Sequence, residues 1–168
     1  SFSKTVQLGA GLEATGRLSR ASMGRTIQAL RICEKKIEKH GVRRMRLVAT
    51  EACRRARNAR DFIRQVRRET GLALEIIAPE EEARLAVISC APLVNVSTEQ
   101  LLVVDIGGGS TELVWIDLSA VAPPDRPKAI MRLHMGFDAQ GDGAVARVVD
   151  WISVPLGVAT LKDQFIDV

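Results

Sequence analysis

Hydrophobic side chains recur at helical spacing early in the chain. Five of them, from Met23 to Ile37, follow one another at intervals of three or four residues, so they fall on one face of a helix. Ser19 precedes the series where a capping residue is expected, and Gly41 follows it, as is typical of helix ends. The pattern predicts an amphipathic helix between these two residues.

Short apolar segments alternate with helical patterns in the next part of the chain. The strands predicted from their β-branched and aliphatic content cover residues 42–49, 72–77, 101–106 and 111–118. One helix is predicted to be capped by Asn58 and to end at Gly71, and another to begin at Pro79 and reach about Cys90. This order indicates an α/β architecture with several parallel neighbours. The strand 101–106 is predicted to be buried, and its short link to the next strand permits only an antiparallel hairpin.

Turn-forming residues dominate from Ser119 onward. The chain there contains Ala-Pro-Pro-Asp-Arg-Pro and Gly-Phe-Asp-Ala-Gln-Gly-Asp-Gly, which are typical of loops rather than of element interiors. We therefore expect a mobile surface excursion over about residues 119–144. Strand character resumes at residues 145–154, and residues 158–165 begin a helix.

Composition narrows the class of protein. Hydrophobic residues make up 46% and charged residues 26% of the 168 residues, which indicates a globular protein and excludes intrinsic disorder. No apolar run is long enough to span a membrane, and the N-terminus lacks the apolar region of a signal peptide. The three cysteines show no metal-binding spacing. We expect reduced thiols and a cytoplasmic location.

Positive charge is concentrated in one segment. The net charge is +4, and seven arginines fall between Arg54 and Arg68. Such a run favours polyanions such as phosphate chains, nucleotides or nucleic acid. A solvated helix face explains the same run without any ligand.

The most informative motif joins the two strands of the predicted hairpin and reads Asp-Ile-Gly-Gly-Gly-Ser-Thr-Glu. Gly107–Gly109 allow positive φ and a close approach of backbone N–H groups to phosphate oxygens. Asp105 and Glu112 offer the carboxylate oxygens that Mg²⁺ selects, and the hydroxyls of Ser110 and Thr111 suit phosphate or water. The motif predicts a shared metal and phosphate site. The alternative is a plain glycine hairpin with acids on the surface.

Two further segments are candidates for the same site. Three glutamates follow Pro79. Acids in a first helical turn stabilise the helix through its dipole, but a carboxylate near a metal–phosphate loop can also deprotonate an attacking water. The turn after the strand 42–49 reads Thr-Glu-Ala-Cys-Arg-Arg-Ala-Arg-Asn, and an arginine there can hold phosphate through its bidentate fork.

Together these segments resemble the exopolyphosphatase and guanosine pentaphosphate phosphohydrolase family, within the actin, Hsp70 and sugar kinase superfamily. The glycine loop marks only the superfamily, whereas Thr-x-Ala-x-Arg with Glu-Glu-Ala-Arg is much more specific. Where the family usually has Ser-Gly, this chain has Ala78-Pro79. The resemblance covers all but the excursion and rests on residues 7–12, 15–19, 48–58, 76–85, 104–113 and 155–158.

The resemblance implies an α/β fold of ribonuclease H-like lobes, as in actin-like ATPases, with a mixed sheet and incomplete at both ends. Residues 1–79 would form part of the N-terminal lobe and residues 80–168 the first part of the second lobe, with the active site in the cleft between lobes. The family's first phosphate loop would lie upstream of Ser1. The resemblance therefore also implies a fragment that is inactive alone.

The resemblance implies a role for each motif. Glu82 would be the catalytic glutamate that activates water. Asp105 and Glu112 would serve the metal ion and the water. Gly107–Gly109 would bind the transferred phosphate, and Arg54 another phosphate of the substrate.

The resulting interpretation is a Mg²⁺-dependent phosphoanhydride hydrolase. It would release terminal phosphate from polyphosphate or from guanosine pentaphosphate, the pppGpp of the stringent response, and the sequence does not separate these two substrates. An ATP-binding module of the Hsp70 or actin type, or a non-catalytic phosphate-binding relative, is the alternative. We expect neither a membrane nor a nucleic acid as a partner. The sequence does not decide whether the protein forms a homodimer.

Overall fold

The computed structural model describes residues 2–133 and 146–165. The helices are α1 Leu12–Thr15, α2 Arg20–Lys39, α3 Glu51–Arg55, α4 Ala59–Thr70, α5 Pro79–Cys90, α6 Arg126–Met131 and α7 Val158–Phe165, with 3₁₀ turns at Ala91–Leu93 and Pro123–Asp125. The strands are β1 Val48–Ala49, β2 Glu75–Ile76, β3 Gln100–Ile106, β4 Thr111–Asp117 and β5 Arg147–Val154. No helix of the described ranges has the length and apolar character needed to cross a lipid bilayer.

The chain divides into two compact units. The first unit comprises Ser1–Ile77 with Gly157–Val168, and the second comprises Ala78–Leu156. The sequence placed the boundary near Pro79, and the division falls just before it. In contrast to the predicted division, residues from Gly157 onward belong with the first unit.

The amphipathic helix predicted after Ser19 is confirmed as α2. The Ser19 hydroxyl accepts a hydrogen bond from the backbone N–H of Ser22 at 3.0 Å, which satisfies one of the free donors of the first turn. Ile27 is buried, and its apolar neighbours on the same helix face pack in the core of the first unit. The periodicity therefore marked the face that α2 buries.

The first of the predicted strands is much shorter than expected. Only Val48–Ala49 forms a ladder, in parallel with Glu75–Ile76, and the prediction of a strand over residues 42–49 is wrong for its first six residues. The reason is the length of the available partner: β2 has only two residues. Among the described residues this is the one parallel pair, because the sheet of the second unit is antiparallel.

Two turns of the first unit that lie far apart in sequence hold each other in place. The side-chain amide of Asn58 accepts from Leu18 N at 2.8 Å and donates to Leu18 O at 3.0 Å. Arg57 donates from its backbone N–H to Gly16 O and from Nη2 to Thr15 O, both at 3.0 Å. Asn58 does occupy the N-cap position of α4, but its side chain makes no capping bond. Instead of capping α4 as predicted, the Asn58 side chain therefore links the two turns through hydrogen bonds.

We expect Gly16→Ala to lower the free energy of unfolding by about 1–3 kcal/mol, as strained backbone positions do. Gly16 has φ 64°, and an added Cβ would meet Arg57 Nη2 at 2.9 Å. The matched control is Gly24→Ala inside α2, where an added Cβ meets nothing within 4 Å; it should raise stability by up to about 1 kcal/mol. Urea unfolding followed by circular dichroism measures both, and equal effects would contradict the expectation.

Cys53 should be the least reactive thiol of the described residues. It is 2% exposed in the core of the first unit, and burial raises the pKa of its thiol to about 11, although Arg54 opposes the shift. At pH 8 only about one such thiol in a thousand is ionised, and the thiolate is the reactive form. Native protein treated with a disulfide reagent should label the half-buried Cys33 and Cys90 first, as read by peptide mass spectrometry. Equal labelling rates would refute this.

The second unit is an antiparallel sheet with α5 packed on one face. The strand order is β3-β4-β5, so the predicted hairpin is confirmed. Ala83 and Val87 of α5 are fully buried in one cluster with Val103 of β3 and Val114 of β4. The helix predicted from Pro79 to Cys90 is thus confirmed, and it covers the face of the sheet that also carries Asp105 and Glu112.

The opposite face of this sheet is exposed and apolar. The exposed side chains are Leu102, Val104 and Ile106 of β3, Trp115 of β4 and Ile152 of β5. The prediction that the strand 101–106 is buried is therefore wrong for its residues on this face, and it holds for Val103 on the other. Its apolar run indicated two covered faces, whereas the described residues cover only the face that packs on α5.

The expected surface excursion is only partly right for residues 119–133, because most of them are exposed but several are buried. Ile130 and Leu133 are buried in the core of the second unit, around the helix α6. Arg126 is 4% exposed and donates to Val121 O and Val96 O. Pro127 lies at the start of α6, where its missing N–H costs no helical hydrogen bond. The rest of the predicted excursion, residues 134–144, lies outside the described residues.

Candidate functional site

The glycine loop forms a tight turn between β3 and β4. Gly107 N donates to Ser110 O at 2.9 Å. Within the described residues, no protein acceptor is bound by the backbone N–H of Gly108 or Gly109. These two amides are available to an anion.

The reason for glycine in this loop differs from the predicted one. Gly107 and Gly108 do not adopt positive φ. An added Cβ at Gly107 would meet Ser110 O at 3.1 Å, whereas at Gly108 it would meet nothing within 4 Å. Close backbone packing therefore explains Gly107, and open space above Gly108 leaves room for a ligand.

Two carboxylates lie side by side at the base of the loop. Asp105 and Glu112 are register partners across the β3–β4 ladder, so their side chains share one face with Cβ atoms about 4.5–5.5 Å apart. Glu112 is only 1% exposed, and Asp105 is half-buried. The predicted pairing of these two acids beside the glycines is present in the fold.

Sequence reasoning missed one polar neighbour of this pair. Ser153 Oγ of β5 donates a hydrogen bond to Glu112 Oε1 at 2.8 Å. The two residues are register partners between β4 and β5. No local motif marks Ser153, because the contact joins positions 41 residues apart.

The two hydroxyl residues of the loop occupy different environments. Ser110 is 2% exposed. The Thr111 hydroxyl donates to Leu156 O at 2.6 Å, so it ties β4 to the segment after β5. Its oxygen retains acceptor capacity, but its proton is committed to the protein.

The three glutamates of α5 have distinct surroundings. Glu80 is exposed. Glu81 receives two hydrogen bonds from Arg84, from Nε at 2.6 Å and from Nη2 at 2.8 Å. Glu82 is half-buried, and its Oε2 is shielded from solvent.

Arg54 belongs to the first unit, and its guanidinium is held by protein groups. Nε and Nη2 donate to Glu51 Oε2 at 3.2 and 3.0 Å, and Nη1 donates to Ile77 O at 2.9 Å. Its side chain is 15% exposed. These contacts link α3 to the end of β2 and explain the residue without a ligand.

The donor set suits Mg²⁺ better than a metal that needs a complete protein cage. In the described parts of the chain no cluster of three or more His, Cys, Asp or Glu side chains could hold a metal ion. Mg²⁺ is commonly bound through one or two carboxylates and substrate phosphates while it keeps several waters. The pair Asp105 and Glu112 beside an anion loop fits that requirement.

A comparison with family models decides which family this chain represents. Residues 2–167 match the model of the Ppx/GppA phosphatase family. The chain belongs to this family. The resemblance seen in the sequence is thereby confirmed, and so is the α/β fold class of the actin-like ATPases.

Solved structures of Ppx/GppA proteins are similar to the chain. A crystal structure of the Aquifex aeolicus family member is 36% identical, with a TM-score of 0.62, over 96% of this chain and 44% of that chain. An exopolyphosphatase-like protein is 28% identical, with a TM-score of 0.75, over 96% and 44%. An exopolyphosphatase from Cytophaga hutchinsonii, at 22% identity and a TM-score of 0.74 over 96% and 43%, shows the fold alone. The chain spans less than half the length of each.

Proposed function

We propose that this chain carries catalytic parts of a phosphatase that hydrolyses phosphoanhydride bonds at the end of polyphosphate or of guanosine pentaphosphate. The observation that carries the proposal is the β3–β4 loop, in which the amides of Gly108 and Gly109 are open beside the carboxylate pair Asp105 and Glu112. An anion cradle next to two carboxylates suits a phosphate group accompanied by a divalent cation.

Glu82 is the proposed base. It lies in the first turn of α5, and α5 returns to the start of β3 through the 3₁₀ turn Ala91–Leu93 and a short link. We infer from this connection that the first turn of α5 lies toward the end of β3 that carries Asp105. The Oε2 atom of Glu82 is shielded from solvent, and such a carboxylate oxygen favours proton transfer from an ordered water.

In this mechanism the N–H groups of Gly108 and Gly109 orient the terminal phosphate and take up the charge that develops on its oxygens. Glu82 accepts the proton of the attacking water as the water approaches in line with the leaving phosphate. Asp105 and Glu112 would hold Mg²⁺, which when bound neutralises phosphate charge. Ser110 and Thr111 border the phosphate position as secondary contacts.

Among the proposed site residues, Arg54 has the least structural support for a role in binding substrate. A phosphate-binding role remains proposed from the family motif, but its contacts with Glu51 and Ile77 already satisfy a structural role. The basic segment around it would still raise the local concentration of a polyanion through its field.

The direct test is phosphate release by the full-length protein from long-chain polyphosphate and from guanosine pentaphosphate, each with and without Mg²⁺. We expect Mg²⁺-dependent release from at least one of them. Release of nothing from either substrate, together with tight binding of ATP, would replace this proposal with the nucleotide-binding module of the Hsp70 or actin type.

A further inference from the structure

Three polar side chains form a row across the sheet of the second unit. Asp105 of β3 is the register partner of Glu112 of β4, and Glu112 is the register partner of Ser153 of β5. Register partners in an antiparallel sheet present their side chains on the same face. Glu112 therefore lies between a carboxylate on one side and a hydroxyl on the other.

The position of the Glu112 carboxylate depends on a protein donor. The residue is 1% exposed, and Val114 and Ile116, the next residues on the same face of β4, are fully buried in the apolar core. A carboxylate removed from water needs hydrogen bonds or a counter-charge. Within the described residues, the hydrogen bond to this side chain comes from Ser153 Oγ at 2.8 Å.

The strand that supplies this donor is itself fixed. Thr111 Oγ1 donates to Leu156 O at 2.6 Å, and Thr111 is also the register partner of Val154. Side-chain and ladder contacts thus hold the end of β5 against the start of β4. The Ser153 hydroxyl has little freedom to leave Glu112.

We propose that Ser153 is a positioning residue that orients the Glu112 carboxylate for Mg²⁺. The inference rests on the proposed function, in which Asp105 and Glu112 share the metal ion. A hydrogen bond to one carboxylate oxygen fixes the rotation of the group and so the direction of the other oxygen. Such outer partners of metal ligands typically change metal affinity or activity by about 10–100-fold when removed.

The test uses the full-length protein and two readouts. Titration calorimetry with MgCl₂ alone gives the dissociation constant for Mg²⁺, and phosphate release gives the Mg²⁺ concentration for half-maximal turnover. For Ser153→Ala we expect both to rise by about tenfold or more. Turnover at saturating Mg²⁺ should fall less than this.

Two further variants separate the hydroxyl from the fold. Ser153→Thr keeps the hydroxyl on a residue that suits a strand, so its Mg²⁺ constants should stay within about threefold of the wild type. Ser153→Cys keeps the size but donates weakly and should fall between Thr and Ala; it also serves if the alanine variant does not fold. Ser89→Ala is the matched control, because this hydroxyl donates only to Ala86 O on the surface of α5.

Unchanged Mg²⁺ constants in Ser153→Ala, with a lower unfolding midpoint, would overturn the inference, since the hydroxyl would then only satisfy a buried carboxylate. Equal weakening in the alanine and threonine variants would also overturn it. If the wild type binds no Mg²⁺ while it releases phosphate, the metal role of Asp105 and Glu112 fails, and this inference fails with it. If the wild type binds Mg²⁺ but releases no phosphate, the proposed function fails and the positioning of Glu112 is decided by calorimetry.

Discussion

Glu82→Gln in the full-length protein should lower turnover by about 10²–10⁴-fold, the usual loss on removal of a general base, and change substrate affinity much less. The amide keeps the size and shape of the half-buried side chain, but it does not accept a proton from water. Initial rates of phosphate release at several substrate concentrations separate the two effects. A parallel rise in KM with unchanged kcat would point to substrate binding instead of proton transfer.

The neighbouring glutamates provide the controls for this substitution. Glu80→Gln changes an exposed side chain and should leave turnover close to the wild type. Glu81→Gln weakens the partly buried ion pair with Arg84, so it should lower stability while turnover of the folded protein stays close to the wild type. If Glu81→Gln rather than Glu82→Gln removes activity, the base is the other carboxylate of the motif.

Asp105→Asn should reduce phosphate release by about 10³-fold, because a metal-binding carboxylate accounts for several kcal/mol of transition-state stabilisation. The amide is isosteric, and Asp105 is half-buried at the end of β3, so the urea unfolding midpoint should change little. Phosphate release and Mg²⁺ titration on the same preparation measure the effect.

Asp150→Asn is the matched control for Asp105→Asn. Asp150 lies on β5 of the same sheet, is exposed, and accepts a hydrogen bond from the N–H of Trp151 at 2.8 Å. Its replacement should leave both Mg²⁺ response and turnover unchanged. An Asp105→Asn enzyme with wild-type turnover would remove the carboxylate pair from the mechanism.

The sequence predicted those parts of the fold that depend on local signals. The cap at Ser19 and the apolar period after it are local, and they placed α2 correctly. Pro79 and three acids marked the start of α5 in the same way. The glycines between two β-branched runs required a hairpin, which brought Asp105 opposite Glu112.

The features that the sequence did not predict depend on pairing between residues that are far apart along the chain. Ser153 meets Glu112 only because β5 pairs with β4 in a register that shifts between Trp115 and Ile116, and no sequence pattern contains that shift. The limit of β1 at Val48 depends on the short partner β2. Pro127 belongs to a segment whose composition is typical of loops, yet it stands in the first turn of α6, where proline is compatible with a helix.

Both tryptophans of the chain lie on the sheet of the second unit, so their fluorescence reports on that unit. The chain contains two tryptophans and no tyrosine: Trp115 on β4 is half-exposed with its indole N–H bonded to Gln100, and Trp151 on β5 is partly buried. Intrinsic ultraviolet fluorescence of these residues therefore reports on the antiparallel sheet alone. The first unit, rich in helix, contributes to the far-ultraviolet dichroism but is silent in tryptophan emission. A denaturation followed by both signals would separate the loss of the β3–β4–β5 sheet from the loss of helical structure.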